Sequence, residues 1–98
     1  MEAMLNKEDM TALEAAIRAA LVSRKKELSM SDDALGKMAF AFMANPSGKV
    51  QALLVGQGAG ESRKPQAFRI GDAMNLCEAL GLAWVDVLRQ AAKDIKKK

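Results

Sequence analysis

The run Asn45-Pro46-Ser47-Gly48 splits the stretch Ala34–Gly56 in two and limits what can form on either side. Pro46 has no N–H to give a helix interior, and Asn45, Ser47 and Gly48 favour turns and caps. Beyond the break, Val50, Leu53 and Leu54 share one helical face, while Lys49, Gln51 and Ala52 fall on the other. Gly56 and Gly58 then stop the segment. The pattern predicts a helix, a turn, a short helix with a polar outer face, and a glycine stop.

Composition agrees with helix. Alanine, leucine and methionine carry most of the apolar content, and Trp84 and three phenylalanines are the only aromatics. Ninety-eight residues make one domain, 1–98. No run of apolar residues is long enough to span a membrane. Glu2, Glu8 and Asp9 stand where a secretory leader would be basic and apolar, so the expected location is cytoplasmic. Cys77 is alone, and a chain without histidine lacks the usual zinc ligands; Cys77 is expected as a small buried apolar residue. With no histidine and no tyrosine, no catalytic constellation is expected. Asp32 and Asp33 fall at a helix start, where capping explains them, and the seven methionines suit core filling better than a metal site. No cofactor is expected. Residues 1–30 are charge-balanced, so the net charge of +3 lies wholly in residues 31–98, which suits a nucleic-acid partner.

In chain order, residues 1–9 read as a loose start. A first helix is expected over about Met10–Glu27, with an apolar stripe of Met10, Leu13, Ile17, Ala20, Leu21 and Leu28. Asp9 or Thr11 would cap it, Glu14 would favour its first turn, and Arg24, Lys25 and Lys26 its last. A second helix, capped by Ser31 or Asp32, runs to about Met43 with Leu35, Met38, Ala39 and Phe42 inside. Gly36 within it weakens the helix by roughly 1 kcal/mol against alanine, which a close helix crossing there would explain. A third helix covers about Ser47–Val55, and residues 56–65 form a long loop. A fourth helix spans about Gln66–Leu80, with Phe68, Ala73, Met74, Cys77 and Leu80 inside, and Gly81 ends it. A fifth begins near Ala83 and runs to Ala92 or beyond, with Trp84, Leu88, Ala91 and Ile95 inward, ahead of a basic tail, residues 96–98.

This ordered set resembles the phage repressor and Cro-like helix-turn-helix family, the lambda repressor-like fold. Arg24-Lys25-Lys26-Glu27-Leu28-Ser29 resembles the family's basic end of helix 1 and its Leu-Ser step. Ser47 to Gly56 looks like helix 3 and its stop, Leu76 to Leu82 like the end of helix 4, and Trp84 to Leu88 like the start of helix 5. The likeness covers about residues 15–90 and departs from the family in three places. Helix 2 with the turn is a few residues longer. Leu54 stands where many members have a glutamate that pairs with the helix 1 arginine, so Arg24 is expected to lack that partner. Glu2, Glu8 and Asp9 are unlike the basic arm of some members.

The resemblance implies an all-α bundle of about five short helices that binds double-stranded DNA as a homodimer and regulates transcription, as a repressor. The first residues of such a third helix enter the major groove. Ser47, Lys49, Gln51 and Ala52 are therefore the base-contact candidates: glutamine can pair with adenine, lysine reach guanine or phosphate, and a methyl touch thymine. Arg63, Lys64 and Arg69, with Gln57 and Ser62, are the phosphate-contact candidates. Two other readings compete. One is a helical protein-interaction module that does not bind DNA. The other makes Lys49–Val55 a strand and Gly56-Gln57-Gly58-Ala59-Gly60 a phosphate-cradling turn, although Glu61 stands where the next glycine is needed.

Overall fold

The computed structural model describes residues 6–56 and 67–96, and among them the chain is all-α, without a strand. Five helices follow in order: α1 (Lys7–Glu27), α2 (Asp32–Ala39), α3 (Pro46–Leu54), α4 (Ile70–Ala79) and α5 (Trp84–Lys96). The helical expectation holds, and the strand reading of Lys49–Val55 fails, because nearly all of that segment is α3. No described helix is long and apolar enough to cross a membrane.

Several boundaries have a local cause. α1 starts earlier than its apolar period, because Asn6, not Asp9 or Thr11, is the cap. Asn6 Oδ1 accepts from the Asp9 N–H at 2.8 Å, and Asp9 Oδ2 accepts from the Asn6 N–H at 3.4 Å. At the other end Ser29 takes a left-handed φ of 51°, and Met30 N–H donates back to Lys25 O, a Schellman closure made without glycine. Ser31 Oγ caps α2 by accepting from the Ala34 N–H at 3.0 Å. Asn45 Oδ1 caps α3 by accepting from the Gly48 N–H at 3.2 Å, and Pro46 takes the first helical position, where its missing N–H costs nothing. Gly56 and Gly81 end α3 and α4 at positive φ, as expected of these stops.

α2 stops at Ala39, not near Met43. The run Met38-Ala39-Phe40-Ala41-Phe42-Met43 is apolar throughout, so periodicity cannot say which phenylalanine turns inward. Phe40 leaves helical geometry and is fully buried, whereas Phe42 is 78% and Met38 60% exposed. α4 begins at Ile70, after the expected Gln66, because the residues before it are extended and held by α1: the Phe68 N–H donates to Glu14 Oε1 at 3.0 Å. Glu14 thus serves this distant contact.

The core gathers Ile17 and Leu21 from α1, Leu35 from α2, Val50, Leu53 and Leu54 from α3, Leu76, Cys77 and Leu80 from the α4 segment, and Val87 and Ala91 from α5. Cys77 is buried as expected, and that burial pushes its thiol pKa up. Several stripe residues are corrected outward: Met10, Leu28, Met74 and Leu88 are exposed. Met10 lies in the first turn of α1 and Leu28 just past its end, away from the core, while on α4 and α5 Leu76 and Val87 fill the interior in place of Met74 and Leu88.

Gly36 marks the tightest crossing. A methyl group there would lie 2.6 Å from the Pro46 carbonyl carbon and 2.8 Å from both Pro46 O and Ser47 N, all backbone atoms. α2 can lie this close to the start of α3 only with hydrogen at that position. Gly36→Ala should therefore lower the melting temperature by about 5–15 °C, because overpacking of about 1–3 kcal/mol outweighs the helix-propensity gain. A thermal melt followed by circular dichroism checks this. A melting temperature at or above wild type would mean that the crossing is loose.

Candidate nucleic-acid interface

α3 carries four of the sequence-derived candidates, and its packing sorts them. Val50, Leu53 and Leu54 point inward as expected. Ala52 does not face outward: it is 4% exposed, so it is corrected to a core-side residue and cannot present its methyl group to a ligand. Successive residues turn by about 100°, and the inward arc on this helix is wide enough to take in Ala52 on the flank opposite Leu54. Lys49 lies on that same flank. Its Nζ pairs with Asp72 Oδ2 of α4 at 3.4 Å, and the two side chains are only 18% and 16% exposed. What remains is a narrow outer strip: Ser47 and Gly48 half-exposed, Gln51 and Val55 exposed. Gln51 sits where the sequence places it. Val55 and Gly48 were missed, the first because it reads as a helix-end hydrophobe, the second as a turn residue.

Side chains from α1 hold α3 and the start of α4 in place. Arg18 Nε donates to Leu53 O at 2.7 Å, filling one of the carbonyls that the end of α3 leaves open. Its guanidinium carbon also stands 5.0 Å from the centre of the Phe68 ring. Burial lowers the Arg18 pKa and the nearby Glu14 raises it, and the group stays a cation. Glu14 and Arg18, one turn apart on α1, therefore grip Phe68 and Leu53, which lie on either side of residues 57–66. Arg24 was expected to lack the family's partner on helix 3, where Leu54 stands. Arg24 instead donates from Nε to Leu80 O at 3.0 Å, closing α4, and pairs with Glu27. Asn75 Nδ2 donates to Ala39 O at 3.1 Å and closes α2. None of these three contacts leaves a mark in the sequence, since each spans 35 residues or more.

The acids at the start of α2 are neutralised locally. Lys25 Nζ pairs with Asp32 at 2.9 Å, and Lys37 Nζ with Asp33 at 3.0 Å. Arg69, a phosphate-contact candidate, is exposed and directly precedes α4. Gln57, Ser62, Arg63 and Lys64 lie outside the described residues. Among the described residues no group of three or more acidic, cysteine or histidine side chains comes together as a metal site.

Arg18→Ala removes a charged donor from Leu53 O and should destabilise the fold by about 1.5–3 kcal/mol, measured by urea denaturation. Arg18→Lys should recover little, because an ammonium cannot both lie flat on Phe68 and donate along the same line. Full recovery by lysine would reduce the contact to simple charge. Comparison with family models, with curated proteins and with solved structures yields no match to this chain.

Proposed function

We propose that this chain is a sequence-specific DNA-binding regulator of the helix-turn-helix type, a repressor that works as a homodimer and inserts α3 into the major groove. The observation that carries this reading is the outer strip of α3. Ser47, Gly48, Gln51 and Val55 stand outside a helix whose other faces are packed, so α3 is rigidly mounted with one side free. The strip is narrow and mostly short-chained, which lets a helix enter a groove about 12 Å wide. Gln51 offers both a donor and an acceptor, the pair needed for adenine, and the Val55 methyls suit a thymine methyl. Ser47 reaches either a base edge or the backbone. Arg69, exposed just before α4, supplies a phosphate contact, with Arg63 and Lys64 as further candidates.

One such module buries too little surface for high specificity, hence the homodimer on a two-fold related site. Exposed Val85 and Leu88 on α5 provide apolar surface that self-association can use. A second reading, a helical protein-interaction module, draws on Phe42 and Met38. They stand exposed beside a shallow groove between the end of α2 and Asn75, Glu78 and Ala79 of α4.

Selection from random-sequence DNA tests the proposal. Enrichment of an inverted repeat is expected, with affinity that falls steeply with salt. On the enriched site Gln51→Ala should cost about 1–3 kcal/mol and much less on random DNA, while the melting temperature stays unchanged. No enrichment, together with elution from heparin at low salt, would favour the interaction module.

A further inference from the structure

Lys49 is the one charged residue in α3, and the fold turns it away from the strip. Its Nζ sits 3.4 Å from Asp72 Oδ2, with both side chains mostly covered. Asp72 is itself held in place, since the same oxygen accepts from the Arg69 N–H at 3.4 Å and so fixes the first turn of α4. The carboxylate thus has a defined position beside α3 before any ligand arrives.

We infer that Asp72 is a specificity-determining residue: by holding the Lys49 ammonium against α4, it withholds from DNA the only cation on the recognition helix. The inference rests on the DNA-binding reading above. A lysine free on that helix would find phosphate on any sequence, because a phosphate contact carries no base information. Such a contact strengthens random and preferred sites alike and so narrows the ratio between them. With Lys49 occupied, α3 contributes hydrogen-bond and apolar readout through Gln51 and Val55, and sequence-independent attraction is left to other elements.

The test uses the full chain and two DNA duplexes, one of random sequence and one carrying the enriched site, titrated between 50 and 200 mM salt. Asp72→Asn keeps an oxygen that can accept from the Arg69 N–H but lacks the charge that holds Lys49. Circular dichroism establishes that each variant is folded. Asp72→Asn should bind random DNA about 3- to 10-fold more tightly at low salt, with a salt slope steeper by about 0.9, the value of one new phosphate contact. Its preference for the enriched site should shrink. Lys49→Ala alone should leave the slope unchanged, and Lys49→Ala combined with Asp72→Asn should return it to the wild-type value. A slope unmoved by Asp72→Asn overturns the inference. So does an equal gain in the double variant, which would be general relief of repulsion, or a slope lowered by Lys49→Ala alone, which would place Lys49 on phosphate already. If the wild-type protein binds neither duplex, the DNA-binding reading itself fails and takes this inference with it.

Discussion

The approach of α2 to the first residue of α3 is the constraint on which the arrangement depends. Gly36 lets the Pro46 carbonyl and the Ser47 amide come nearer than any side chain would allow. Two short helices gain little stability alone, and here each is stabilised by burying one face on the other. Leu35 and Ala39 of α2, Val50 and Leu53 of α3, and Phe40 just past α2 belong to one buried core cluster. Asn45 and Pro46 define the start of α3, so its position follows from backbone contact and capping together. On the proposed reading, a helix that must keep its side chains in place is well served by such a mount.

The carbonyl ends of the helices form a second layer of the design. The last carbonyls of a helix lack internal partners and carry partial negative charge. In this fold α2, α3 and α4 each receive a polar side chain from another helix: Asn75 at Ala39, Arg18 at Leu53, Arg24 at Leu80. Two of the three donors are cations from α1, which suits the dipole. α1 is thus more than one wall of the core. It holds the far ends of α3 and α4, and through Glu14 it holds the backbone ahead of α4 as well.

These two layers leave α3 with a narrow, uncharged outer strip. On the proposed reading, that strip discriminates by hydrogen bonding and methyl contact, and the charge needed for affinity comes from around it. The pairing of Lys25 and Lys37 with Asp32 and Asp33, and of Lys49 with Asp72, points the same way. Cations close to α2 and α3 are largely matched by acids, which holds non-specific attraction low for a chain of net charge +3.

The sequence by itself determined the five helices and most of their stops, because caps and breakers act locally. Ser31, Asn45-Pro46, Gly56 and Gly81 do in the structure what their chemistry requires, and Gly36 already pointed to a close crossing. It also placed Val50 and Leu53 inside and Gln51 outside, since those positions lie near the middle of their faces. Tertiary structure decided everything at the edges of faces. Ala52 and Lys49 lie on a flank whose exposure depends on the neighbours packed against it: Ala52 is buried, and Lys49 pairs with Asp72 at the start of α4. Phe40 against Phe42 was settled by where α2 stops, which an unbroken apolar run leaves open. No local pattern marks Arg18 for its contact with α3, because a contact between residues 35 apart depends on how α1 lies across the bundle.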